Sequence, residues 1–394
     1  MSGPADVARA AAAICASGTD PDALAAVLSW SCGPRRRADT LRRRVRDTER
    51  DDDAAPAQLL ATSARGDGRL DGPIADVALR VVGTWARLGV RVALVGDPAF
   101  PDRLAEGWPD LDAPVLLSWR GETPADVGPG VAIVGSRNAS AYGTAVTELL
   151  ASAVARAGGR VVSGGALGID AAAHEAALGH PGGTTVVLGC GHAVPYPAPH
   201  ARRGALFDRV LEDGGTLVSE LLPEVTAHPG VIRARNRIVA GLAEATVVVE
   251  GGSRSGALLT ATAAVERGRD VLAVPGDILA PGSAAPLRLI GEGARVCTGP
   301  HDLREVLPGI GRTAIGPAVG PTAGDSGLPA EVHRVLERAG ARGVAVEELA
   351  LVHPGGAGAL IGLLVRARVA GAVEDVPGGV RLRRDRPAGR PSVR

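Results

Sequence analysis

Between residues 131 and 300 short apolar runs alternate with longer helical patterns, and this alternation restricts the fold more than any other feature of the 394-residue chain. The runs Val131–Val134, Arg160–Val162, Thr184–Leu188, Thr216–Val218, Ala245–Val249 and Asp270–Val274 read as strands. The stretches Tyr142–Ala157, Asp170–Leu178, Ala201–Glu212, Asn236–Leu242 and Ala257–Arg267 read as helices. Parallel strands need crossover connections, so the alternation predicts a parallel sheet with helices on both faces. The runs are continuously apolar instead of alternating with polar residues, the pattern of strands covered on both sides. The expected fold class is α/β, with an extended Rossmann-like parallel-sheet core.

The flanks read differently. Residues 1–90 suggest an N-terminal helical domain of the SAM or helix-hairpin-helix kind, with Asp20 before Pro21 marking a helix start. Within it, the arginine-rich run at 35–53 closes on acids. It reads as a solvated helix face, with a nucleic-acid contact as the alternative. Core residues 91–307 begin with two strand-like segments, "VRVALV" and "APVLLSWRG". A Gly/Pro-rich stretch at 308–327 reads as a linker. Residues 328–384 offer three helical patterns and a hairpin turning near Gly378-Gly379, a winged-helix-like plan, and 385–394 read as a disordered tail.

Composition narrows the function. The chain carries 43 basic and 43 acidic residues, so a nucleic-acid surface has to be a local patch. All its cations are Arg, which grips phosphate through a planar fork. The four cysteines, Cys15, Cys32, Cys190 and Cys297, are scattered without a Cys-x-x-Cys pair. No metal site is expected from them, and a reducing, cytoplasmic setting is. The first residues lack a signal-peptide pattern, and no apolar run is long enough to span a bilayer.

In a parallel sheet, ligands bind beyond the carboxyl ends of the strands. The segments expected there are Gly135-Ser136-Arg137, "SGGALGID" from Ser163 to Asp170, "GCGHAVPYP" from Gly189 to Pro197, Ser219-Glu220, and "EGGSRSGALLTA" from Glu250 to Ala261. They share glycines, small hydroxyls and arginines. Glycine allows close backbone approach, helix starts attract anions, and Arg137 and Arg254 can each fork a phosphate. Neither Gly-x-Gly-x-x-Gly after the first core strand nor a Gly-Lys-Ser/Thr loop is present, so no dinucleotide or other cofactor is expected. Ser163, Asp170 and His174 could be drawn as a triad, although Asp170 is better read as a helix cap. Glu220 and Glu250 could form an acid–base pair, or hold Arg235 or Arg237.

These phrases resemble the DNA-processing protein A family (DprA, also called Smf). The likeness is carried by "VAIVGSRNASAYG", "VVSGGALGIDAAAHEAAL", "VVLGCGHAVPYP", "LVSELLP", "RARNRIVAGLAEATVVVE", "RSGALLTATAAVERGRDVLAVPGD" and "LIGEGA", in the family's order over about 131–295. The resemblance implies a homodimeric, non-enzymatic protein that binds and protects single-stranded DNA during natural transformation and helps load the RecA recombinase. It implies a phosphate-binding turn at Gly135, Ser136, Arg137 and Ser140, and a second loop shaped by Gly164, Gly165, Gly168 and Asp170. It also implies contacts from Arg235, Asn236 and Arg237, with Arg233 beside them, and from Arg254, Ser255 and Gly256.

The chain departs from the family pattern at four places. Leu167 stands where an Arg is usual, Ile232-Arg233 where Phe-Pro is, Ala193 for an Asp, and Leu287 for an Asn. These leave the scaffold intact and thin the ligand contacts. Two other readings stay open: a nucleotide-processing hydrolase of the phosphoribohydrolase type, echoed by "PGGTT" at 181–185, and a paralogue with weakened DNA binding.

Overall fold

A computed structural model describes residues 4–31, 72–106, 114–125, 127–308, 328–352, 356–369 and 372–383. The arginine-rich run, the linker beyond residue 308 and the tail lie outside the described residues. A nine-stranded sheet forms the centre, ordered β1-β2-β6-β5-β4-β3-β7-β8-β9. Its strands are β1 (Arg91–Leu94), β2 (Leu116–Gly121), β3 (Gly130–Val134), β4 (Arg160–Gly164), β5 (Thr184–Val187), β6 (Thr216–Ser219), β7 (Ala245–Val248), β8 (Asp270–Ala273) and β9 (Arg295–Val296). Strands β3 to β9 run parallel, while β2 pairs antiparallel with both β1 and β6. The six strands expected from the apolar runs are all present, within a residue or two of their expected ends.

Among the helices are α1 (Pro4–Ala11), α2 (Pro21–Ser31), α3 (Gly72–Arg87), α4 (Ala141–Arg156), α5 (Ile169–Ala177), α6 (Leu206–Glu212), α7 (Pro229–Gly241), α8 (Ala257–Glu266) and α9 (Ala284–Gly291). Successive residues of each strand face opposite sides of the sheet. Val131, Ile133, Val247 and Leu272 pack with Leu150 and Val154 of α4 and Ile169 of α5. Ala132, Val134 and Val248 instead pack with Ile238 of α7 and Ala261 of α8. The helix leaving β3 therefore covers one face and the helix leaving β7 covers the other. Between these two strands lies the switch point where such folds open a crevice.

Helices α1–α3 share the same continuous core through Val7, Leu24 and Trp85, which pack with Val92 and Trp119 of the antiparallel edge. The described N-terminal helices are thus joined to the sheet by one hydrophobic cluster. Beyond residue 327, α10 (Ala330–Ala339), α11 (Val346–Val352), α12 (Gly356–Val369) and the hairpin β10 (Val373–Val376)–β11 (Gly379–Leu382) enclose a separate cluster around Leu336, Leu349, Leu364 and Val380. No helix among the described residues is long and apolar enough to cross a membrane.

Three local expectations are corrected. Helix α7 begins at Pro229, seven positions before the expected Asn236. Pro occupies the first helical turn, and the His228 side chain accepts from the Gly230 N–H at 3.2 Å. The stretch 201–212 is broken by Gly204 at φ +71°, so its helix starts only at Leu206. Gly168, at φ +79°, caps α5, and Asp170 lies inside the first turn instead of at the cap.

Candidate nucleic-acid interface

A cleft of about 480 Å³ opens at the switch point. The turn after β3 gives one wall, Gly135, Ser136 and Arg137; the turn after β7 gives the other, Gly252 to Gly256; Arg235 and Asn236 of α7 reach in from behind. Gly135 sits where any side chain would collide, since a methyl there would lie 2.7 Å from Ile169 Cγ1 and 2.8 Å from the Glu250 carbonyl oxygen. Bare backbone is thereby left at the cleft wall. The Ser136 hydroxyl folds the turn by accepting from the Asn138 N–H at 3.1 Å. Opposite, Asn236 Nδ2 donates to the Gly256 carbonyl at 3.1 Å and pins the β7 turn to α7. The start of α8 opens into this space, adding the positive end of a helix dipole.

Three arginines and one carboxylate, Asp170, make up the charged lining. Arg137 and Arg254 are exposed and form no hydrogen bond or ion pair among the described residues. Arg235 is buried, and its guanidinium occupies the space left by the missing side chain of Gly164. Its Nε has no hydrogen-bond partner. Burial lowers the Arg235 pKa, which the Asp170 charge opposes; burial likewise raises that of Asp170 against the pull of Arg235. The buried Arg235 cation behind the cleft adds to the positive potential of the exposed Arg137 and Arg254.

The remaining expected residues take other places. Ser140 caps α4, accepting from the Gly143 N–H at 3.0 Å, and its own N–H donates to Glu250 at 2.9 Å while its hydroxyl also donates to Glu250. Glu250 thus braces the β3 turn and holds neither Arg235 nor Arg237. Arg237 is gripped at both ends of its fork by Glu220, at 2.7 and 2.6 Å. Gly165 packs against Phe207, Gly168 lies under the Ser136–Arg137 backbone, and Arg233 is exposed on the first turns of α7, outside the cleft. Ser253 and Thr260 line the cleft from within the expected Glu250–Ala261 segment, and Ile232 lines it too, though none of the three was named as a contact. Thr260 lies one helical turn beyond Gly256, a spacing that could have flagged it.

The drawn triad is not assembled. Ser163 Oγ donates to the Ile133 carbonyl at 2.6 Å, and the two ring nitrogens of His174 meet Thr184 Oγ1 at 2.7 Å and the Gly164 carbonyl at 2.8 Å. Burial lowers the His174 pKa to about 4, so the ring is neutral.

The fold and cleft together define a Rossmann-like protein with an arginine-lined crevice at its switch point. Comparison with known proteins places it further. Residues 91–308 match the family model for DNA recombination-mediator protein A. A putative DNA processing protein DprA of Mycobacterium tuberculosis is 39% identical over 293 residues, 73% of each chain. Protein Smf of Escherichia coli is 42% identical over 196 residues, 50% of this chain and 52% of its own. The X-ray structure of DprA from Streptococcus pneumoniae superposes with a TM-score of 0.51 at 33% identity, covering 62% of this chain and 90% of that one. The chain belongs to the DNA recombination-mediator protein A (DprA/Smf) family.

Proposed function

We propose that the chain binds the phosphate backbone of single-stranded DNA in the switch-point cleft and acts as a recombination mediator, protecting incoming DNA and assisting RecA loading. It would do so as a cytoplasmic homodimer in which two rims form a longer track. The observation that carries the reading is the cleft charge: three arginines face one carboxylate, and two of those arginines are exposed and form no ion pair among the described residues. Family membership supports the DNA-processing role. The hydrolase reading would need an acid–base set, whereas both ring nitrogens of His174 are bonded to Thr184 Oγ1 and the Gly164 carbonyl, away from Ser163 and Asp170. Leu167, exposed on the same rim where the family carries a cation, supports binding weakened by one phosphate contact. The winged-helix reading of 328–383 fits its three helices and hairpin, and is a proposal of the same standing.

A mobility-shift titration of a single-stranded oligonucleotide against salt tests this. Wild type should bind at low salt, and Arg137→Ala or Arg254→Ala should each flatten the slope of log K against log salt by about 0.7. No complex at low salt refutes the reading.

A further inference from the structure

Resting on that reading, we propose that the bound strand leaves the central cleft toward β5 and meets a second, basic and aromatic subsite built from Tyr196, Arg202, Arg203 and Arg233. Single-strand binding combines a cationic track with rings on which bases stack. Most described aromatics are spent on the core: Trp85, Trp119, Phe100 and Phe207 are buried. Tyr142 and Tyr196 stay exposed, at 41% and 48%. Tyr142 is tethered through its hydroxyl to the Pro275 carbonyl at 2.9 Å. Tyr196 stands in the loop after β5, and its hydroxyl has no hydrogen-bond partner among the described residues. Its loop is firmly seated on the β6 loop, because the Gly191 and Ala193 N–H groups donate to the Val225 and Pro223 carbonyls at 2.8 and 2.9 Å. A ring on a fixed platform gives up little entropy when a base stacks on it.

The cations converge on the same rim. His200 Nδ1 meets the Gly165 carbonyl at 3.1 Å, which draws the turn preceding Arg202 and Arg203 onto the exit of β4. Ile232 packs so closely on Gly189 that a methyl there would come within 3.0 Å of Ile232 Cγ1, and this holds Arg233 near the exit of β5. All three arginines are exposed and form no hydrogen bond or ion pair among the described residues. Glu224 is the exposed acid of the neighbouring loop, which leaves the balance positive. The opposite direction, past β8, offers Asp277 and the exposed apolar pair Ile278 and Leu279, at 82% and 85%. Charge therefore favours the β5 side. Strand β5 lies two strands from β3, about 10 Å across the sheet. Leu167 stands at β4, between the two subsites.

The test compares the full chain with Tyr196→Leu, Tyr196→Phe and Arg202→Ala/Arg203→Ala. The probes are an oligothymidylate of about a dozen nucleotides, within the ~4–16-nucleotide site sizes of single-strand binders, and an abasic oligomer of equal length. Tyr196→Leu should weaken thymidylate binding by about fivefold or more, leave abasic binding unchanged, and be matched to wild type by Tyr196→Phe. The double arginine variant should flatten the salt slope by about 1.4. If wild type binds but these variants match it on both probes, this inference fails and the central-cleft reading stands. An equal loss of both probes in Tyr196→Leu also overturns it, because the ring would then only prop its loop. If wild type binds neither probe at low salt, the parent reading fails and takes this one with it.

Discussion

Gly168→Ala asks whether the α5 cap and the turn after β3 are one mechanical unit. Gly168 has φ +79° and ψ −125°, a region closed to residues that carry a Cβ. Alanine there costs about 1–3 kcal/mol in backbone strain. Its methyl would also sit 2.6 Å from both the carbonyl carbon and the oxygen of Arg137. These are backbone atoms that no rotamer change can move, so overpacking adds about 1–3 kcal/mol. The sum, roughly 2–6 kcal/mol, is a large part of a typical ~5–15 kcal/mol stability. Relief of the collision must displace Ser136–Arg137, one wall of the cleft. Gly179 is the control: it has φ +73°, but a methyl there meets nothing within 4 Å. Gly179→Ala should cost only about 1–2 kcal/mol and leave the cleft alone. Thermal unfolding and single-strand binding are measured on both variants. Gly168→Ala should lose more stability than Gly179→Ala and about tenfold in affinity, the equivalent of roughly 1.4 kcal/mol. Equal stability losses, or wild-type binding by Gly168→Ala, would refute the coupling.

Two further outcomes are expected. Leu167→Arg places a cation on the rim between the two subsites, so the salt slope should steepen by about 0.7, with unchanged binding at every salt counting against a track there. Burial lowers the pKa of His174 and His192 from 6.5 to about 4. Between these values the unfolded chain binds more protons than the native one. The stabilisation is therefore whole above pH 6.5 and is lost as pH falls toward 4, by up to about 3 kcal/mol per pH unit for both rings. Urea unfolding from pH 7 to 4 should show this slope, roughly halved in His174→Gln.

The sheet was legible because strands covered on both faces write unbroken apolar runs, as Val131–Val134 does. Strand β9 was not, since two residues, Arg295 and Val296, carry no period. The start of α7 hid for a related reason: Arg233-Ala234-Arg235 interrupts the apolar spacing that announces a helix, and only Pro229 marked the true end. The cleft walls were readable as glycine turns after strands. The separate fates of Arg235 and Arg237 were not. Two residues apart on a helix they point about 200° away from each other, one into the space over Gly164 and the other to Glu220. A motif read as a string treats them alike.

The same sorting explains how a chain with 43 charges of each sign can present a cationic rim. At the amino ends of the parallel strands the arginines are matched: Arg160 with Glu122 at 3.0 Å, Arg269 with Glu244 at 2.9 Å, Arg295 with Asp270 at 3.0 Å. At the carboxyl ends Arg137, Arg254, Arg202, Arg203 and Arg233 are left without partners among the described residues. A five-residue strand such as β3 separates the two edges by about 16 Å. That is roughly twice the ~8 Å Debye length at physiological ionic strength, so residual acid at the far edge is screened from the rim. Net charge thus says little about what this surface attracts. The partnering of individual arginines decides it: at the carboxyl ends Glu220 holds Arg237, while Arg137, Arg254, Arg202, Arg203 and Arg233 stay exposed.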